Sequence, residues 1–166
     1  MNSLLERIAD WQGSASPDEV FDFCDRLCRT YLEANAELRS ELRKAVAAQP
    51  KVRNSLLHNS LDQVGPGGYL VQAAKRAEMT GDYTSYLRSA LLAISLADGF
   101  DDSRDTLMWL AELWREVEEK GVDPEPHYQE IGGISSTEAL HVIGGPTAAM
   151  ILQMLHVRRR NELKWP

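Results

Sequence analysis

Between Pro17 and Gln49 the residues Phe21, Cys24, Cys28, Tyr31, Asn35, Leu38, Leu42 and Ala45 recur in alternating steps of three and four. Side chains at that spacing return to one face of an α-helix. A chain that commits so long a stretch to helix, nearly uninterrupted, must build its core from helix faces. The start is marked by Ser16 in the N-cap position, Pro17 at the first helical position and Glu19 where a capping box needs its acid. Asn35 is the polar member of the seam. There it can fix register or oligomeric state by pairing with its symmetry mate in a homodimer. If the helix breaks at "EANAE", it becomes a cap instead.

The rest of the chain extends the same reading. Residues 3 to 11 form a short amphipathic helix, and Pro50 punctuates the end of the long one. A shorter helix follows with Leu57, Leu61 and Val64 on one side, and "GPGG" stops it. Leu70, Ala73, Ala74 and Ala77 mark one helix, "TGD" a tight turn, and Tyr86, Leu87, Ala90, Leu91 and Ile94 another. Gly99 ends that helix, with Asp101 or Asp102 as the next cap. "RDTLMWLAELWREVEEKG" then buries Leu110, Leu113 or Trp114, and Val117, and stops at Gly121. Residues 122 to 146, with three prolines and two Gly-Gly pairs around a short helix, are the least regular part. "TAAMILQMLHVRRRNEL" is a last helix, apolar nearly all round. Leu and Ala far outnumber Val and Ile, which favours helix over strand. The expected fold is an all-α multi-helix bundle of about eight or nine helices. Its 166 residues suit one domain, 1–166, with a subdivision near 65–68.

An apolar share of 43% with 26% charged residues suits a soluble globular protein. The net charge of -7 disfavours broad attraction to nucleic acid, although a compact site needs only a local positive field. The first residues lack the basic segment and apolar core of a secretory signal, and no run is long enough to span a bilayer, so a cytoplasmic location is expected. Cys24 and Cys28 stand four apart on one helix, where side chains run parallel rather than toward each other in disulfide geometry. They read as reduced, buried thiols.

No motif completes a metal or cofactor site, and none is expected. "ADGFDDSRDTL" is acidic, but its glycine stands second rather than sixth, and Trp109 falls where a calcium loop needs its bidentate Glu. Glu138 and His141 have a di-iron ligand step without a second copy; His127 and Glu130 run in the reverse order. "VGPGGY" and "IGGPT" lack the lysine of a phosphate loop. Arg158, Arg159, Arg160 and Lys164, with Trp165 beside them, concentrate positive charge at the end of an acidic chain. They suit a helix C-terminus, and they also form a candidate docking patch for an acidic protein partner or a short nucleic-acid contact.

Two local patterns resemble known families. Residues 69–98 resemble one tetratricopeptide-type helical hairpin, which implies paired helices with small residues at their approach. "RNSLLH", Arg53 and Asn54 followed by His58, resembles the Arg-x(4–6)-His motif of HEPN-domain ribonucleases. That resemblance implies metal-independent RNA cleavage at a dimer interface. His58 would act as acid and base on the ribose 2′-hydroxyl, and Arg53 would hold the phosphate. On a continuous helix five steps of about 100° set the two roughly 140° apart, so they converge only if Arg53 lies at or before the helix start. Asn54 as N-cap would allow that. The sequence favours a non-catalytic cytosolic protein–protein interaction module, of adaptor, accessory or immunity type. The HEPN-like ribonuclease, or a degenerate relative, is the alternative.

Overall fold

Helix ends are written into the local sequence, and the computed structural model shows which signals act. It describes residues 3–12, 16–57, 68–98 and 104–133; at 98 and 104–110 only the backbone is described. Within these residues the chain is all-α, with eight α-helices and one π-helical segment. The helices expected over 147–163, Leu61 and Val64, and the capping residues Gly99, Asp101 and Asp102 lie outside them. The chain divides into two compact units, Met1–Phe100 and Asp101–Pro166.

In the first unit α1 is Leu4–Ala9. Ser3 accepts from the Glu6 amide at 3.2 Å while the Glu6 carboxylate accepts from the Ser3 amide at 2.9 Å, a reciprocal capping box. Helix α2, Pro17–Glu33, starts at Pro17 as expected, but the Ser16 side chain makes no cap bond to its first turn. The box expected at Ser16 and Glu19 is thus not formed; the one observed is ten residues and more earlier in the chain.

The long helix is two helices. Ala34 is extended (φ -74°, ψ 151°), and α3 runs Ala36–Ala48 with Asn35 as its N-cap, the Asn35 Oδ1 accepting from the Leu38 amide at 2.9 Å. Asn35 is therefore a cap and not a seam residue, which corrects the uninterrupted reading of 17–49. The cause is that an Asn side chain offers its own acceptor to an orphan amide and competes with helix continuation. Arg39 of α3 closes the break from the other side: its Nε and Nη2 donate to the Tyr31 and Leu32 carbonyls at 2.9 and 3.0 Å, satisfying the last turn of α2. Its guanidinium also lies 5.0 Å from the centre of the Tyr31 ring, and Arg43 Nη1 donates to the Tyr31 hydroxyl at 2.8 Å. Tyr31 is buried completely at the centre of this junction.

Helix α4, Pro50–Leu57, buries Val52, Ser55 and Leu56. Helix α5, Tyr69–Thr80, packs on it and begins at Gly68. A β-carbon on Gly68 would sit 2.5 Å from the Leu56 carbonyl carbon and 2.6 Å from the Leu57 nitrogen, so only glycine admits this approach of backbones. Helices α4 and α5, on either side of 65–68, pack together within the first unit. Helix α6 is Tyr83–Leu92. Gly81, at φ 76°, ends α5, and Asp82 caps α6 through the Ser85 amide at 3.1 Å, so α5 and α6 form the expected tight hairpin. Helix α6 widens into a π-helical segment, Ala93–Asp98, that packs on α3 and α4.

The core of this unit is Ile8, Phe23, Cys24, Leu27, Tyr31, Leu42, Val46, Val52, Leu56, Leu70, Leu87, Leu91 and Leu96, each 2% exposed or less. At about 2 kcal/mol for each large apolar side chain taken out of water, this set is what holds the helices together. Phe21, placed on the buried seam by its spacing, is instead 50% exposed. The stripe that α2 buries is centred on Phe23, Leu27 and Tyr31, and Phe21 lies at its margin.

In the second unit α7 is Arg104–Glu119 and α8 is Pro124–Gly132. Helix α7 ends at Gly121, φ 86°, where the Val122 amide returns to the Val117 carbonyl at 3.0 Å. Asp123 caps α8 by accepting from the Glu125 amide at 3.2 Å, with Pro124 at the first helical position. Ala111, Leu113, Trp114 and Val117 of α7 and Tyr128 and Ile131 of α8 are buried, and Trp114 meets Tyr128 edge to face at 5.8 Å. Part of the segment read as irregular is thus a well-capped helix with its own core contacts.

Candidate functional site

The chemistry suggested by "RNSLLH" can be followed on Arg53. It is the fourth residue of α4 and exposed, and its amide donates to the Gln49 carbonyl at 3.2 Å. Asn54 is the fifth residue and exposed, so it is not an N-cap; the helix starts earlier because Pro50 fixes φ at its first position. Arg53 accordingly lies inside the helix, not at or before its start, and the geometry that would have let the pair converge through an Asn54 cap is not formed. His58 lies outside the described residues. So do Arg158, Arg159, Arg160, Lys164 and Trp165, as well as Glu138 and His141. No group of three or more His, Cys, Asp or Glu able to hold a metal occurs among the described residues.

Two thiols, a phenol and a carboxylate gather where α2 meets α5. The Tyr69 hydroxyl donates to Asp25 Oδ1 at 2.9 Å, and Arg29 Nε pairs with Asp25 Oδ2 at 3.0 Å. Burial pushes the Tyr69 hydroxyl well above its usual range, and its bond to Asp25 adds to that. Cys24 and Cys28 are free and buried. Burial pushes the Cys24 thiol up to about 12, and burial with the neighbouring Cys24 and Asp25 raises Cys28 further. A thiol acts as nucleophile or metal ligand as the thiolate, which this environment disfavours, so both cysteines are core residues.

Outside this cluster lies a surface that periodicity did not reveal. The Phe21 ring stands edge to face with Tyr69, centroids 5.2 Å apart and planes at 67°. Tyr69 is itself held by Asp25, so Phe21 is an exposed aromatic braced from below. Asp18 and Asp22, three positions before Phe21 and one after it, are exposed on the first turns of α2. Met79, 87% exposed, is the other large apolar side chain open to solvent among the described residues. Tyr69 and Asp25 are 44 positions apart, and no local pattern announces their bond. The one usable signal in the sequence was that Phe21 and Phe23 cannot both face inward on one helix, being about 200° apart.

No described helix is long and apolar enough to cross a membrane. No protein-family model matches the chain, and neither a curated protein nor a solved structure is significantly similar to it.

Proposed function

We infer that the chain is a non-catalytic, cytosolic protein–protein interaction module whose contact surface includes the start of α2 and the start of α5. The observation that carries this reading is the half-exposed Phe21 ring, set against Tyr69, with Asp18 and Asp22 exposed on the same turns of α2. A rigid aromatic loses little side-chain freedom on binding and is the kind of residue that anchors an interface, while surrounding carboxylates choose a partner of opposite charge. The partner is a protein with an apolar pocket rimmed by Lys or Arg. The C-terminal patch Arg158, Arg159, Arg160, Lys164 and Trp165 is a second contact region in this reading and would serve an acidic surface. To test it, a photo-reactive benzophenone amino acid is placed at position 21 of the full chain and irradiated in the cells that make it. A discrete adduct that disappears when Asp18 and Asp22 are changed to their amides supports the reading; irradiation that yields no adduct sinks it.

The second reading is the HEPN-like ribonuclease, favoured by the exposure of Arg53 on α4. Its test is RNA cleavage by the purified chain in EDTA. Cleavage lost in both Arg53→Ala and His58→Ala, each with unchanged helicity, would establish it, and an inert wild type would remove it.

A further inference from the structure

We propose that residues 3–12, helix α1 with the turn after it, form a detachable strap that opens and closes over the Phe23 face while the rest of the first unit stays folded. Four observations converge on this segment. Helix α1 has six residues, far below the length at which a helix is stable by itself, so its order depends on docking. It packs on α3, yet buries only Ile8 of its own residues completely.

Within α1, Ile8 is fully buried and the Arg7 guanidinium lies 5.6 Å from the centre of the Phe23 ring; further docking contacts sit at the C-terminal end of the segment. Gln49 Nε2 donates to the Ala9 carbonyl at 2.9 Å, Lys51 Nζ to Gln12 Oε1 at 3.0 Å, and the Trp11 ring stacks on Phe23 at 4.1 Å with planes 7° apart. Both hydrogen bonds are exposed, so water replaces them at small net cost.

The docked state also carries a penalty. Trp11 Nε1–H is buried without a hydrogen-bond partner among the described residues. A buried donor left unpaired works against the state that buries it, and lifting Trp11 off Phe23 returns it to water. The docked strap is thus opposed by one of the residues that holds it. Release would uncover Phe23, which is 1% exposed when the strap is closed, and the residues that Ile8 covers. Access to the Phe23 face would then be set by the chain's own N-terminal segment.

Amide hydrogen exchange on the full chain, followed residue by residue by NMR, tests this. The reporters are the amides of Arg7, Asp10 and Trp11, which donate to Ser3, Glu6 and Ile8. A core variant, Leu87→Ala, accelerates exchange wherever it requires global unfolding. The strap predicts that α3 amides accelerate while the three reporters do not. Reporters that accelerate in step with α3 would overturn it.

The second arm isolates the indole N–H by replacing Trp11 with 3-benzothienylalanine, a ring of nearly the same shape with sulfur in place of N–H. Removing an unpaired donor should slow the reporters about fivefold or more. Reporters left unchanged or accelerated would show that the N–H does not oppose docking, and the strap as argued would fall.

Discussion

Replacing Asn35 by alanine removes the acceptor that receives the Leu38 amide, and the expected cost is about 1 kcal/mol in urea unfolding. A cap role also predicts that light scattering gives the same molar mass for Asn35→Ala as for the parent chain, whereas a residue pairing with its symmetry mate would shift it. The two thiols make a second prediction at this scale. In the unfolded chain they ionise near their ordinary value of 9.0, while folded Cys24 holds its proton to about 12 and Cys28 is raised as well. Above about pH 9 the unfolded state therefore binds fewer protons, so the contribution is complete below that pH and is lost as pH rises toward 12. The drop in unfolding free energy from about pH 8 to about pH 10 should be smaller in a Cys24→Ala, Cys28→Ala double variant than in the wild type. Parallel curves would mean that the thiols are not buried as described.

Among the elements, the approach of α5 to α4 and the elbow between α2 and α3 are the joints most open to test. Gly68→Ala sets a methyl against the backbone of Leu56 and Leu57, which cannot rotate away; a loss of about 1–3 kcal/mol is expected from thermal unfolding. Arg39→Met keeps much of the side-chain bulk but strips the donors from the Tyr31 and Leu32 carbonyls, with an expected loss of about 1.5–3 kcal/mol. These joints also show what a sequence can and cannot disclose. Helix identity, the Gly81–Asp82 turn and the burial of Cys24, Cys28, Leu42 and Leu91 were readable, because they follow from periodicity and local capping chemistry. The break at Ala34 was open in the sequence, since the three-and-four spacing continues across it and only the competition between Asn35 and the helix decides. Arg39 as a cap for the preceding helix and Tyr69 on Asp25 were not readable, because each depends on where a distant backbone arrives. Of the candidate site, the position of Arg53 inside α4 was not readable, because Pro50, read as the end of one helix, is also the first residue of the next.

Across the whole molecule, the two compact units carry separate sets of buried residues. The first buries its own set of residues from Ile8 to Leu96, and Ser3, Asn35 and Asp82 cap α1, α3 and α6. Residues 1–100 produced alone should therefore unfold cooperatively, with helical circular dichroism and a single transition. A gradual, non-cooperative loss of signal would show that this core depends on the other unit.

The tip of the α5–α6 hairpin offers a way of handling the protein as an object. Gly81 is exposed in a left-handed conformation, and a β-carbon added there would meet nothing within 4 Å. Thr80 and Asp82 beside it are exposed as well. Extra chain spliced between Gly81 and Asp82 would leave into solvent from two helix ends already close together. This is where a fluorophore peptide, a purification handle or a split-reporter half can be grafted while Phe21, Trp11 and Arg53 keep their surroundings, so that the interaction, the strap and the RNA question can each be put to the same tagged molecule.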